Sequence, residues 1–335
     1  MHRSGGGHRH AWLPRGLAAL AAALLAVATA AGCTSSTGAD VAASTAPAPM
    51  GRRPVPSTSA STQVPSRATS PAPAGQAPHV MVIVEENHSF DQVVGNPAMP
   101  FFNKLAAQYA LATAYTGVSH PSEPNYLALV SGSIWDNPAD QTPAEGTYPG
   151  PTLVDQLAAR GIAWKAYIED LPSACDLTAT YGPGSYDVNH NPFVYFDSVR
   201  NSKSQCAADV PFSQFTPDLQ NGTAPPFVFV VPNTQHDMHD GTYQQADSWL
   251  AARFDTIFAS EWYRQGGIVV ITFDEGETSE RVATVVVSAA DRHFGHFSAP
   301  ANHYGLLRGI ETVYHLPFLK SAGNPANGDL SPLLR

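Results

Sequence analysis

The sequence is short of positive charge. Lys and Arg number 18 against 28 Asp and Glu in 335 residues, a formal net charge of -10. A protein that grips nucleic acid through its phosphates needs the opposite balance, so no nucleic-acid partner is expected. Charge of either sign is sparse, at 14% of residues, whereas 43% are hydrophobic. A chain so composed can bury a real core, which excludes disorder throughout. Cysteine is rare: Cys33, Cys175 and Cys206 are the three. Several motifs are absent, namely the Gly-x-Ser-x-Gly elbow, the His-Glu-x-x-His zinc-protease helix, the P-loop and the Gly-x-Gly-x-x-Gly nucleotide turn. Their absence removes the commonest serine-hydrolase, zinc-protease and nucleotide-binding readings. No internal repeat is visible, and the apolar run Leu17 to Val27 is too short for a membrane-spanning helix.

What charge there is lies unevenly. Residues 1–78 hold six of the 18 basic side chains (Arg3, Arg9, Arg15, Arg52, Arg53, Arg67) and one of the 28 acidic ones, Asp40, which leaves 12 against 27 for the rest, a balance of -15. An anionic substrate must therefore meet local positive charge there, such as a metal ion. The Arg/His-bearing opening, the apolar run and the small residues Ala30-Ala31-Gly32 follow the order of a secretory signal peptide over residues 1–32. Ala-Ala-Gly-Cys also resembles a bacterial lipobox, with Cys33 as the lipidated residue; plain secretion is the alternative. Export implies an oxidising compartment, where Cys175 and Cys206 either pair as a disulfide or stay as two buried thiols. Residues 33–78 are mostly Ser, Thr, Ala and Pro with no apolar periodicity, the composition of a disordered tether.

A domain over residues 79–320 follows, with 321–335 as a C-terminal tail. Continuous apolar runs at 79–84, 227–231, 268–273 and 282–287 read as strands buried on both faces of a sheet. Helical spacing appears at Phe101 to Leu111, Thr152 to Arg160, Ala246 to Gln265 and Tyr304 to Leu316. The alternation predicts a single α/β domain with a mostly parallel sheet. Residues 172–226 are loop-rich and read as an insertion stapled near the site.

Function in open α/β sheets gathers beyond the carboxyl ends of strands. Three strand ends here run into polar clusters: Glu85 to Asp91, Pro232 to Gly241 and Asp274 to Glu277. Carboxylates crowded into one cleft repel unless a cation or protons neutralise them, so a divalent metal is the economical reading. The alternatives are solvated acidic loops and structural histidines. Ser122, just before a short apolar helical run with Pro124 in its first turn, is a nucleophile candidate beside free helix amides that favour an anion. On spacing alone it reads equally as an ordinary N-cap.

These motifs together resemble the phosphoesterase family of bacterial phospholipases C and acid phosphatases, within the alkaline phosphatase superfamily. The resemblance rests on Glu85 to Asp91, Ser119 to Gly132, Tyr167 to Pro172, His190 to Phe193, Pro232 to Gly241, Phe273 to Gly276 and His303 to Glu311. It implies an alkaline-phosphatase-like, mostly parallel sheet sandwiched between helices, with a divalent metal at the strand ends. It further implies Glu86, Asn87, Ser122, Asp274 and Glu275 as metal ligands, with Asn87 also touching phosphate. Ser122 takes the nucleophile's place, in a segment similar to that of nucleotide pyrophosphatases. His239 is implied as a phosphate-binding or leaving-group histidine and His303 as its companion. His190, Asp237 and Asp240 match family motifs as further substrate-binding positions. The compact length resembles the acid-phosphatase branch, whose substrates are phosphomonoesters. A phospholipase C or another phosphodiesterase is the nearest rival, and a non-catalytic metal- or phosphate-binding surface lipoprotein a second. The expected setting is the cell exterior, the membrane being reached only through a lipid anchor at Cys33.

Overall fold

The computed structural model describes residues 77–137, 139–178, 185–290 and 295–334. The leader at 1–32, Cys33 and almost all of the tether lie outside the described residues. From Ala77 onward the chain builds an eight-stranded sheet flanked by helices. Its strands are β1 (Val80–Glu85), β2 (Ala110–Ala112), β4 (Trp164–Ile168), β5 (Asp209–Pro211), β6 (Phe227–Val231), β7 (Ile268–Phe273), β8 (Thr284–Ser288) and β9 (Gly295–Phe297), with β3 (Tyr115–Thr116) and β10 (Ala301–Asn302) forming a separate pair. The order across the sheet is β5-β4-β6-β1-β7-β8-β2-β9, and β8 alone runs against its neighbours.

The apolar runs account for the centre. Every residue of β1, β6, β7 and β8 is buried, as a strand covered on both faces requires. Six longer helices supply the cover: α1 (Pro100–Gln108), α2 (Ser122–Ser131), α3 (Leu153–Ala159), α4 (Phe215–Asn221), α5 (Tyr243–Ala259) and α6 (His303–Val313). They pack in two groups, α2 with α3 and α6, and α1 and α4 with α5. Caps set several boundaries. Thr152 and Asp155 close a capping box on α3, and Thr242 with Gln245 does so on α5.

Some sequence-based boundaries move. The run expected to be helical to Leu111 stops at Gln108, and Ala110–Ala112 joins the sheet as β2, because pairing with β8 and β9 satisfies its backbone. The helix expected to reach Gln265 ends at Ala259, where Ser260 caps a separate turn, Glu261–Arg264. The expected tail is no tail. Residues 320–334 contain three short 3-10 segments packed on α6, and Leu330, Leu333 and Leu334 join the core. The segment 172–226 contains α4, β5 and two one-turn helices, and Cys175 is bonded to Cys206 within it. No described helix is long and apolar enough to cross a membrane.

Candidate active site

The parallel strands β6, β1 and β7 end side by side, and the backbone ties continue past them. The Glu86 amide donates to the Asp237 carbonyl at 2.9 Å, and the Asp274 amide to the Glu85 carbonyl at 3.0 Å. Three loops distant in sequence are thus fixed to one edge. Asn87 then turns the chain with φ +47°, in the left-handed region that Asn tolerates better than most residues. That turn aims its backbone N–H at Asp274 Oδ1, 3.0 Å away.

Ser122 enters from α2. It is the first helical residue, with Pro121 as the N-cap, so its hydroxyl does not cap the helix. It donates instead to Glu86 Oε2 at 2.9 Å and lies 3.3 Å from Asn87 Oδ1. The ordinary N-cap reading therefore falls. The expected row of free helix amides also changes, since Glu123 N–H donates to Asp140 Oδ1 at 3.0 Å and Pro124 has no N–H. Tyr126, one turn on, donates to Glu86 Oε1 at 2.5 Å. The i, i+4 spacing places both hydroxyls on one helix face. Asn125 braces the same corner: its Oδ1 accepts from the Val118 and Ser119 amides, and its Nδ2 donates to Glu275 Oε2 at 3.2 Å.

Glu86, Asn87, Ser122 and Asp274 come together as the sequence reading expected. Glu275 stands at the rim, its Oε2 engaged by Asn125 and by His120 Nδ1 at 3.0 Å. His190 and Asp237, expected to touch substrate, lie in the buried interior. His190 sits between Glu86 Oε2 (3.5 Å) and Asp237 Oδ2 (3.3 Å), stacked on Tyr126. Candidate ligand atoms of Glu86, His190 and Asp237 fall within 4.8 Å of one another, and this buried triad could hold a metal ion. His239 is at the rim, its Nδ1 3.2 Å from Asp240 Oδ1 and its ring 5.6 Å from that of His190. Asp240 in turn accepts from the Thr234 hydroxyl. His236 faces Glu169, its Nδ1 2.9 Å from Oε2. His303 lies behind the site, fully buried, bonded to the Asp274 carbonyl and to Tyr115.

The electrostatics suit a cation. Burial and the nearby Asp274 raise the Glu86 carboxyl well above its usual range, and burial likewise raises Asp274 and Asp237. Burial, with Asp274 beside it, pushes Glu275 up to about 7. Burial opposes a charge on His190, yet Glu86 and Asp237 hold its imidazole up to about 10. Burial takes His303 down to about 4. Asp274 Oδ2 is buried without a hydrogen-bond partner, and Asp237 Oδ2 faces only His190 Nδ1, at 3.3 Å. Among the described residues the ion-pair partners of these carboxylates are His190 and His120, and none is Lys or Arg. Buried acceptors of this kind call for a cation or protons, so the donor set fits a divalent metal.

Tyr126 and Asn125 stood within a recognised motif, and their helical spacing from Ser122 was the available signal for a shared face. His120 stood in the same motif without a role, and nothing local in the sequence linked Tyr115 or Asp140 to the site.

The fold is an α/β sheet of mostly parallel strands whose ends gather buried carboxylates around one helix-borne serine. Residues 96–317 match the Phosphoesterase family, and the chain belongs to that family. It is 36% identical over 242 residues to a phosphatidylinositol-3-phosphatase of Mycobacterium tuberculosis, covering 71% of this chain and 77% of the relative. It is 30% identical over 258 residues to a probable acid phosphatase of Kluyveromyces lactis, covering 73% and 60%. An acid phosphatase of Aspergillus fumigatus is 29% identical over 248 residues, covering 70% and 54%, so the chain spans little more than half of these fungal relatives. Among solved structures, an alkaline phosphatase superfamily protein of Vibrio parahaemolyticus superposes with TM-score 0.51 at 13% identity, covering 76% of this chain and 72% of the other. The phosphonate monoester hydrolase of Agrobacterium radiobacter gives 0.50 at 12%, covering 77% of each. The chain is thus a member of the Phosphoesterase family with acid phosphatases among its relatives.

Proposed function

We propose that the protein is an exported, metal-dependent phosphatase that hydrolyses phosphomonoesters through Ser122. The observation that carries this reading is the Ser122 hydroxyl, held on a helix start and bonded to buried Glu86 where Asn87 and Asp274 converge. The acid-phosphatase relatives support a monoester substrate, and the Mycobacterium relative's name extends the candidates to lipid-borne monoesters.

Glu86, Asn87, Ser122 and Asp274 would hold the metal, with His190 and Asp237 beside Glu86 and Glu275 at the rim. A bound divalent cation supplies Lewis-acid stabilisation to phosphoryl oxygens and lowers the pKa of a coordinated hydroxyl. Glu86 Oε2 accepts the Ser122 proton, which orients the oxygen lone pairs for in-line attack on phosphorus. The P–O bond to the leaving alcohol breaks as the bond to Ser122 forms, giving a phosphoserine that water then hydrolyses. The Asn87 side chain stabilises charge on the phosphoryl oxygens. His239, its Nδ1 beside Asp240, presents Nε2 to the leaving oxygen and gives it a proton.

The test is Ser122→Ala. Turnover of p-nitrophenyl phosphate should vanish while the fold persists, and a rapid quench of the wild type should trap phosphate on the Ser122 peptide. Hydrolysis surviving in the variant overturns the nucleophile. Faster turnover of phosphatidylcholine than of a monoester favours a diesterase, and phosphate binding without hydrolysis favours a binding protein. Export is supported by the Cys175–Cys206 bond, since disulfides persist in oxidising compartments. Anchoring through Cys33 is read from sequence alone; Cys33→Ser should move the protein from the membrane fraction to the medium, and an unchanged distribution counts against it.

A further inference from the structure

His303 is brought to the back of the site by the small two-stranded sheet. Strand β10 pairs with β3 in the register Ala301 to Tyr115 and Asn302 to Thr116, and Asn302 caps α6 by accepting from the Tyr304 and Gly305 amides. Tyr115 and His303 are both fully buried. His303 Nε2 is hydrogen-bonded to the Asp274 carbonyl. A carbonyl only accepts, so Nε2 carries the ring proton, Nδ1 becomes an acceptor, and the Tyr115 hydroxyl 2.9 Å away is its donor. Both ring nitrogens are thus committed to the protein. Gly117 makes room for the same contact: a Cβ there would lie 3.0 Å from the Asp274 carbonyl oxygen and 3.3 Å from Glu275 Cα. Two residues, His303 and Gly117, therefore converge on one peptide group, the one joining Asp274 to Glu275, with Tyr115 behind the imidazole.

We propose that His303, oriented by Tyr115, is a positioning residue that clamps the Asp274 carbonyl and so sets the Asp274 and Glu275 side chains, in place of the phosphate contact that the family resemblance implied. With the carbonyl held, the Asp274 carboxylate stays against the Asn87 amide and Glu275 stays against Asn125. The functional meaning rests on the metallophosphatase reading. The clamp itself does not.

Hydrogen exchange of the peptide spanning 274–281 tests the clamp on the full chain without metal. His303→Ala should speed exchange there about tenfold, the effect of losing one buried hydrogen bond. Tyr115→Phe should do so by less, and His303→Gln, which returns an N–H where Nε2 stood, should come back close to wild type. Manganese affinity by calorimetry should weaken in the Ala variant and recover in the Gln variant, while competition by inorganic phosphate stays as in wild type. Wild-type exchange and manganese affinity in His303→Ala, together with weaker phosphate competition, would overturn the proposal. If that variant fails to fold, Tyr115→Phe decides, and unchanged exchange over 274–281 overturns it. A wild type that takes up no manganese and hydrolyses nothing counts against the phosphatase reading, and the exchange result still judges the clamp.

Discussion

Ser122 and Tyr126 reach the two oxygens of a single carboxylate: the Ser122 hydroxyl lies 2.9 Å from Glu86 Oε2 and the Tyr126 hydroxyl 2.5 Å from Oε1. One turn of α2 therefore fixes Glu86 from both sides. Tyr126→Phe leaves Oε1 buried without a donor, which should cost about 1–3 kcal/mol of stability. A freely rotating Glu86 no longer holds Ser122, so kcat should fall by roughly tenfold to a hundredfold. Thermal unfolding and steady-state kinetics on p-nitrophenyl phosphate check both. Unchanged kcat would mean that Ser122 is held by other groups.

Chelation should act on stability as well as on turnover. Glu86, Asp237 and Asp274 are buried together, and a cation that binds only the folded state adds stability by mass action. EDTA should abolish hydrolysis and lower Tm by several degrees at neutral pH, and a metal series added back should restore both in parallel. The metal that restores both at the lowest free concentration is the cofactor. A Tm and turnover indifferent to chelator would refute metal dependence.

Two buried carboxyls that take no part in the proposed chemistry set a pH dependence of folding. Burial pushes Glu311 on α6 up to about 8 and Asp209 in β5 up to about 7. Both folded values lie above the unfolded ones, so the native state holds more protons between about pH 4 and 8. Their contribution is full below the unfolded pKa and is lost as pH rises through the folded pKa. Tm should therefore fall from pH 5 to pH 8. Glu311→Gln should flatten that fall by on the order of 1 kcal/mol, read from denaturant curves at the two pH values. A slope equal to wild type would count against an ionisable role for Glu311.

The disulfide closes the loop that carries His190. Cys175 and Cys206 are 31 residues apart in sequence, and the Cys175 amide also donates to the Asp209 carbonyl. Replacing both by Ser should cost about 2–4 kcal/mol. Because His190 lies inside the loop, manganese affinity should weaken more than the loss of stability alone explains. A variant with wild-type affinity would show that Asn191, bonded to Asp209, holds His190 by itself.

Much of the frame was legible in the chain. Runs such as Phe227 to Val231 and Ile268 to Phe273 are apolar on both faces, and that pattern has few uses besides a central parallel strand. The polar residues that end those strands marked the site's edge. Short strands such as β2 and β5 carry no such signature, because two or three residues become strands only through the neighbours they pair with. The segment 320–333 looked like a tail for the same reason: its leucines find their partners on α6.

Residue types and their order along the chain thus determined the fold class, the family, the strand ends that bear the chemistry and the candidate serine. Tertiary structure decided which side chains meet. It moved His190 and Asp237 inward beside Glu86, left Glu275 at the rim with His120, and placed His303 behind Asp274 with both nitrogens committed. Hydrogen-bond direction and distance settle such roles, and they arise only when loops separated by up to about two hundred residues are tied to neighbouring strands of one sheet.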